Sequence, residues 1–251
     1  MELTEREKLA TEKLCLALNV RDPFKAESLA NDLVDFFGYF KLTSVLISSG
    51  VFGLPLIERL NALKPGKDGA IFLDLKWHDT PDQVYEYAYN ASRYRGVSMF
   101  TVHVCGGEKM CKRAVEGAED ATMRLIREEG FSYMKKRPKV IGVTELTTTN
   151  LENFEDSVMR KAEEAKRWGL EGITAPGTMA GRLQREFGSD FLYVFPGMEW
   201  KGIKSKSQIH TYSPEKILKE CENFLLVAGS AVIRSEDKVK TAYEIIKAIA
   251  T

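Results

Sequence analysis

Eight short apolar runs recur along the chain, and longer amphipathic stretches separate them. Most of the runs lack an alternation of polar and apolar residues, which is typical of parallel strands covered on both faces. Three of the intervening stretches, residues 24–37, 157–168 and 237–249, repeat apolar residues at a helical spacing. The predicted strands are residues 14–18, 39–43, 70–75, 99–104, 140–143, 172–175, 191–195 and 224–228.

Strand–helix alternation repeated eight times within 251 residues predicts an α/β fold, a single (β/α)8 TIM barrel that occupies residues 1–251 as one domain. A short helix is predicted before the first strand, because Thr4 and Glu7 match a capping box. A doubly wound open sheet is the alternative architecture. No GxGxxG follows the first run, which counts against the dinucleotide site typical of that alternative.

The charge balance and hydropathy exclude several classes of protein. Lys plus Arg and Asp plus Glu each total 36, and a net charge of zero argues against a nucleic-acid binder, which is usually strongly basic. No apolar run reaches the roughly 18 residues that a membrane span needs. The charged N-terminus lacks the apolar core of a secretion signal, so we expect a cytoplasmic protein without membrane contact.

The cysteines and histidines do not favour a metal site. The four cysteines are too few for a disulfide framework, and only Cys105 and Cys111 lie close in sequence. Without a second pair, we expect these two to be small buried residues in a reducing compartment. The three histidines are far apart and form no HExxH motif.

Ionisable residues stand where the predicted strands end, which in a barrel of this type is the side that carries the active site. Asp74 and Lys76 end the third run, and their i, i+2 spacing places both side chains on one face. Asp79 follows in the next loop, and Lys41 lies in the second run. Opposite charges keep such groups ionised, so the sequence predicts an array of carboxylates and ammoniums at the barrel mouth.

Two further segments suit an anion. Residues 196–208 hold three lysines against one acid, and a loop of this kind is predicted to close over a negatively charged ligand. After the eighth run, backbone amides at Gly229 and Ser230 are predicted to cradle phosphate oxygens. The lysines of the loop are Lys201, Lys204 and Lys206, and Gln208 adds an amide donor.

The aromatic residues and histidines near these segments are weaker candidates for the active site. Trp77 is offset by one residue from the face of Asp74 and Lys76, so we expect it to pack against the outer helices. His78 lies in the turn and receives no role. His103 ends the fourth run, where it would face the barrel mouth in a supporting role.

The chain resembles the orotidine 5′-phosphate decarboxylase family. Asp74-x-Lys76-x-x-Asp79 matches the DxKxxD signature of that family, and its surroundings, DLKWHDTPDQV, are similar to the family's DLKFHDIPNTV. Further similar segments follow in the family's order over nearly the whole chain. They are LALNV at 16–20, FKLT at 40–43, TVHVCGG at 101–107, VTELTT at 143–148, PGMEWKG at 196–202 and VAGS at 227–230.

The resemblance implies a homodimeric barrel that decarboxylates orotidine 5′-phosphate to UMP, in pyrimidine nucleotide synthesis, with no metal and no organic cofactor. It implies that Lys76 protonates C6 of the pyrimidine, Asp74 lies against the substrate carboxylate, and Lys41 links Asp74 to the ribose. Asp79 would reach in from the partner subunit. The implied substrate-binding residues are Asn19, Gln83, Thr148, Pro196, Gln208, Gly229 and Ser230.

Four positions depart from the family pattern. Asn19 replaces an aspartate near the ribose, Gln83 replaces a threonine, and Glu199 and Ser230 each replace an arginine. The change at Ser230 matters most, since an arginine pairs with phosphate through two charged hydrogen bonds and a serine supplies one neutral bond. We predict that Lys201, Lys204 or Lys206 supplies the missing charge.

Two alternatives remain open from the sequence. One is a related lyase that acts on a sugar phosphate, such as 3-keto-gulonate 6-phosphate decarboxylase or hexulose phosphate synthase. Those enzymes are metal-dependent and usually carry a glutamate near the end of the second strand, where this chain has Lys41. The other is a catalytically silent nucleotide-binding paralogue, which would not need to keep Lys41, Asp74, Lys76 and Asp79 together.

Overall fold

Eight parallel strands close into a barrel in the order of the sequence, β1 to β8. The computed structural model describes residues 2–47, 53–64, 67, 69–129, 136–146, 148, 151–203 and 210–250. This closed sheet confirms the predicted TIM barrel and rules out the open doubly wound sheet. The strands are β1 Leu14–Ala17, β2 Tyr39–Thr43, β3 Ile71–Trp77, β4 Val97–His103, β5 Lys139–Val143, β6 Gly172–Thr174, β7 Leu192–Phe195 and β8 Phe224–Ala228.

Helices follow the strands around the outside of the barrel. The predicted helix over residues 24–37 is wrong at its C-terminal end, because Leu33 leaves the helical region with φ −116° and ψ 10°, and a short 3-10 turn follows. The described helices are α1 Glu5–Thr11, α2 Pro23–Asp32, α3 Ser44–Ile47, α4 Gly53–Ala62, α5 Pro81–Ser92, α6 Gly107–Glu129, α7 Phe154–Arg167, α8 Ala180–Phe187, α9 Pro214–Glu220, α10 Ser230–Ile233 and α11 Lys238–Ile249.

The short helix before the barrel, α1, begins as predicted. The Thr4 hydroxyl accepts a hydrogen bond from the Glu7 amide, and the Glu7 carboxylate accepts one from the Thr4 amide at 2.8 Å. This reciprocal capping box satisfies two amides that the first helical turn cannot bond internally. A one-sided cap starts α11, where the Asp237 carboxylate accepts a hydrogen bond from the Lys240 amide at 2.9 Å.

Alternate residues of each strand divide between two apolar cores. One core lies between the strands and the outer helices, and Trp77 packs there as predicted, with its ring centroid 4.9 Å from that of Phe100. The other fills the barrel interior. Because strand residues alternate in direction, residues two beyond an interior residue point to the interior as well. The interior core consists of Cys15, Ala17, Phe72, Met99, Ile141, Leu192, Val194, Leu225 and Val227.

All four cysteines are unpaired. Cys15, Cys111 and Cys221 are buried, and the expectation of a small buried residue is wrong for Cys105, which is exposed just after β4. In the described part of the chain, no helix combines the length and apolar character needed to cross a membrane.

Candidate active site

The polar residues that continue the interior faces of the strands meet at the carboxyl end of the barrel. A cavity of about 190 Å³ opens there. Its walls include apolar interior residues of the barrel such as Phe72 and Val194. Its charged and polar lining consists of Lys41, Asp74, Lys76, Glu145, Thr148 and Thr174 among the described residues, and Pro196 adds an apolar ring.

Lys41, Asp74 and Lys76 form a continuous ion array in this cavity. Lys41 Nζ donates to Asp74 Oδ2 at 2.5 Å, and Lys76 Nζ donates to Asp74 Oδ1 at 2.7 Å. The side chains of Lys41 and Asp74 are 9% and 8% exposed, whereas that of Lys76 is 35% exposed. Lys76 is therefore the ammonium of the array that a ligand in the cavity can reach.

The carboxylate of Asp74 stays ionised despite its burial. Burial by itself would raise its pKa, but the ammoniums of Lys41 and Lys76 and their hydrogen bonds hold the pKa well below the usual range. A third hydrogen bond comes from the buried Thr101 hydroxyl, at 3.2 Å from Asp74 Oδ1. The Asp74 carboxylate thus fixes the ammoniums of Lys41 and Lys76 at the cavity wall.

The backbone at Lys76 has an unusual conformation that turns its side chain. Its φ is +51°, in the left-handed region that residues other than glycine seldom adopt. The register between β3 and β4 shifts between Leu73 and Trp77, which marks a bulge at this point. The Lys76 amide is diverted from the ladder and donates to Thr101 Oγ1 at 2.8 Å. Strain of this kind concentrates at functional sites, where the surrounding structure enforces it.

Asp79 and Gln83 lie outside this array within one chain. Asp79 is exposed and accepts hydrogen bonds from the Thr80 amide at 2.7 Å and from the Tyr87 hydroxyl at 3.0 Å. Gln83 is exposed in the first turn of α5. Neither residue lines the cavity that holds Lys76.

Of the remaining predicted ligand-binding residues, two line the cavity and three lie where the ends of β1 and β8 meet. Thr148 and Pro196 line the cavity. Gly229 links β8 to α10, which begins at Ser230, and a Cβ built at Gly229 would be 3.7 Å from the side-chain nitrogen of the exposed Asn19. The carboxyl ends of β1 and β8 therefore lie next to each other beside the cavity, because these two strands pair to close the barrel. Gln208 lies outside the described residues.

The basic segment after β7 is partly described. Lys201 Nζ forms an exposed ion pair with Glu244 of α11 at 2.6 Å. Glu199 accepts a hydrogen bond from the Thr211 hydroxyl at 3.0 Å. The other two lysines predicted to replace the family's arginine, Lys204 and Lys206, lie outside the described residues.

Three polar residues of the site were not singled out from the sequence. Thr101 and Glu145 continue the interior faces of β4 and β5, and Thr174 ends β6. Thr174 and Glu145 line the cavity, and Thr101 holds both Asp74 and the Lys76 amide. The sequence signal was present for Thr101 and Glu145, because each follows an interior residue by two or four positions.

The histidines lie beside the array. The rings of His78 and His103 are 5.8 Å apart, and burial, followed by the proximity of His78, lowers the pKa of His103. Within the described ranges, no group of three or more His, Cys, Asp or Glu side chains is arranged to hold a metal ion.

A larger cavity of about 720 Å³ lies at the opposite end of the barrel, beside Arg93 and Gly96, which precede β4. It contains none of the predicted site residues. Its position at the amino ends of the strands is typical of regions that contribute to stability rather than catalysis in this fold.

Comparison with known proteins finds one family over nearly the whole chain. The model of the orotidine 5′-phosphate decarboxylase / HUMPS family matches residues 12–245. The orotidine 5′-phosphate decarboxylase of Heliobacterium modesticaldum is 30% identical over 96% of this chain and 97% of its own. That of Syntrophotalea carbinolica is 31% identical over 96% of each chain. The crystal structure of the Lactobacillus acidophilus enzyme superposes with a TM-score of 0.75 at 26% identity, covering 96% of this chain and 99% of that one.

The family match includes the ends of all eight strands, and the ion array at Lys41, Asp74 and Lys76 lies within it. The barrel fold agrees with this match, and the chain belongs to the orotidine 5′-phosphate decarboxylase / HUMPS family.

Proposed function

We propose that this chain is a carboxy-lyase that converts orotidine 5′-monophosphate to uridine 5′-monophosphate, in the synthesis of pyrimidine nucleotides. The observation that carries the proposal is the Lys41–Asp74–Lys76 array, which presents one accessible ammonium at the wall of a small cavity. Curated relatives that are named orotidine 5′-phosphate decarboxylase over nearly the whole length of the chain support it.

The chemistry needs a cation and a proton at one carbon. When the bond between C6 and the carboxylate breaks, carbon dioxide leaves and the electron pair stays on C6. The Lys76 ammonium stabilises this developing carbanion electrostatically, which is the type of contribution that preorganised charges make most effectively. The Lys76 N–H proton then passes to C6, and the neutral amine regains a proton from water.

Asp74 and Lys41 prepare Lys76 for this role. Asp74 fixes the ammonium at 2.7 Å, and Lys41 balances the second carboxylate oxygen at 2.5 Å. Because the charges are held before the substrate arrives, no reorganisation is needed as the carbanion forms. Thr148 is proposed to contact the pyrimidine amide, and Asn19 and Gln83 the ribose. Pro196 is proposed to contact the bound nucleotide, and Gln208, Gly229 and Ser230 to hold its phosphate.

A decarboxylation assay in EDTA tests the proposal against the metal-dependent sugar-phosphate lyases of the same family. We expect the purified protein to consume the orotate chromophore of orotidine 5′-monophosphate without added metal. Lys41 favours this outcome. It lies in β2 and its ammonium holds Asp74 of β3, whereas those lyases usually carry a glutamate near the end of the second strand. Turnover of sugar phosphates that requires magnesium, with orotidine 5′-monophosphate unchanged, would overturn the proposal.

We also propose a homodimer in which Asp79 completes the neighbouring subunit's site. Asp79 is exposed, and neither it nor Gln83 lines the cavity of its own chain. An anion contributed by a second copy would balance the second ammonium of the array, because one chain places two lysines against one aspartate there.

Mixing two inactive variants tests the shared site. Asp79→Ala and Lys76→Ala should each be inactive alone, whereas subunit exchange between them should restore about a quarter of the wild-type activity per subunit. The restored value follows because half of the subunits are then in mixed dimers, and each mixed dimer has one intact site. Activity would be measured after mild dissociation and reassociation, with analytical ultracentrifugation to follow the dimer. A monomer in solution, or no recovery in confirmed mixed dimers, would contradict the shared site.

The location and domain organisation are proposals as well. We propose that residues 1–251 form one domain in the cytoplasm. The barrel strands follow one another without an inserted unit in the described ranges, which supports the single domain. The four unpaired cysteines suit a reducing compartment.

A further inference from the structure

Tyr87, in the second turn of α5, is the side chain that holds Asp79 in place. Its hydroxyl donates to Asp79 Oδ2 at 3.0 Å, while the Thr80 amide donates to Asp79 Oδ1 at 2.7 Å. Asp79 is exposed, and an exposed carboxylate with one bond would still rotate about its side-chain torsions. Because each oxygen accepts a bond from its own chain, the two bonds together fix the direction of the carboxylate.

The ring of Tyr87 is a firm support for its bond to Asp79. It is partly buried against the apolar core between the strands and the helices, and its centroid is 5.7 Å from that of Trp77. Trp77 in turn packs against Phe100 of β4. The phenol is therefore held at the end of β3. The bond to Asp79 raises the pKa of its hydroxyl, which stays protonated as a donor.

The negative charge of Asp79 is not balanced by these contacts. Both partners of its carboxylate in the described part of the chain are neutral groups, an amide and a phenol. Neither Asp79 nor Tyr87 lines the cavity of its own chain, although Asp79 follows Lys76 by only three residues. An oriented and unbalanced carboxylate suits a cation on another molecule, because ordering the group beforehand lowers the entropic cost of the contact.

We propose that Tyr87 is a positioning residue, which orients Asp79 of its own chain for the active site of the neighbouring subunit. The inference rests on the proposed function, in which Asp79 completes the partner's site. Tyr87 acts through Asp79 and touches no reacting atom. A carboxylate that is mobile or misplaced would balance the ammoniums of that site poorly, and small errors of position lower the rate even when no reacting group is lost.

Subunit mixing tests which chain Tyr87 acts on. In a mixed dimer of Lys76→Ala and Asp79→Ala chains, the one intact site takes Asp79 from the first chain and Lys76 from the second. Tyr87→Phe keeps the ring and removes only the hydroxyl. On the Lys76→Ala chain, which supplies Asp79, it should lower the recovered activity at least about fivefold, measured well below KM, because the carboxylate loses an oriented donor. On the Asp79→Ala chain, which has no carboxylate to orient, it should add no loss.

A second tyrosine of the same helix provides the matched control. The Tyr85 hydroxyl donates to Asp120 Oδ2 at 2.8 Å, so Tyr85→Phe also removes a bond from a phenol to an aspartate. On either chain, Tyr85→Phe should leave the recovered activity unchanged. Thermal unfolding of each variant shows whether the fold is retained.

The placement of Tyr87→Phe separates positioning from other roles. An equal loss on both chains would indicate a structural role, and a loss only on the Asp79→Ala chain would indicate support of Lys76 within one barrel through Trp77. Either result, or no loss on either chain, would overturn the proposal. Absence of recovery in the parent pair without Tyr87→Phe would instead overturn the shared site, and absence of decarboxylation by wild type would overturn the proposed function.

Discussion

Replacing Lys76 with alanine should lower kcat/KM for orotidine 5′-monophosphate by at least about 10⁴-fold. A positioned proton donor typically contributes about 10²–10⁴-fold, and a preorganised charge at the reacting atom about 10²–10³-fold. Lys76 supplies both, and within the described residues it is the one ammonium of the array with an accessible side chain, 35% exposed beside the nearly buried Lys41. The loss of the orotate absorbance, followed at high enzyme concentration, measures the residual rate.

Two further variants test whether the loss of activity in Lys76→Ala comes from the missing ammonium. Lys76→Arg keeps a positive charge but not the compact ammonium, so it should also be strongly impaired, because guanidinium is a poor proton donor near neutral pH. Lys139→Ala removes an exposed lysine at the start of β5, at the other end of the barrel, and should leave the rate unchanged. A Lys76→Ala enzyme that kept more than about one hundredth of the wild-type rate would contradict the role of Lys76.

The ion array was predictable from the sequence because strand geometry is simple. Asp74 and Lys76 share a face through their i, i+2 spacing, and Lys41 continues the interior face of β2. The same rule, applied to β4 and β5, would also have found Thr101 and Glu145. The barrel was predictable from the eight apolar runs, because parallel strands that are covered on both faces are apolar along nearly their whole length.

Other features of the site depend on contacts that the sequence does not encode locally. A lysine has no intrinsic preference for φ +51°, so the bulge that turns Lys76 arises from the pairing of β3 with β4 and from the bond to Thr101. The pairing of Glu145 with Lys161 depends on how α7 docks against the barrel. The pairing of Lys201 with Glu244 joins segments 43 residues apart, and no spacing rule predicts it.

Replacing Asp74 with asparagine should destabilise the fold by about 3–5 kcal/mol at pH 7, since it leaves the nearly buried Lys41 ammonium without its counter-ion. It should also lower kcat/KM by about 10²-fold or more, because Lys76 loses the group that fixes it. Urea unfolding of both proteins gives the free-energy difference. Asp156→Asn is the matched control, because that carboxylate is 78% exposed and pairs with Arg182 at 3.5 Å, so its loss should cost within about 0.5 kcal/mol.

The pH dependence distinguishes an ionised Asp74 from a neutral one. The pKa of Asp74 is depressed in the folded state, so the folded protein binds this proton less readily than the unfolded chain, where an aspartate titrates near about 3.9. Its contribution to stability is therefore fully present above about pH 4 and is lost as the pH falls toward the folded value. The difference between wild type and Asp74→Asn should stay constant from about pH 5 to 8 and shrink at lower pH. A difference that grew in acid would show that Asp74 is protonated in the folded protein, and the array could not then hold Lys76 as a cation.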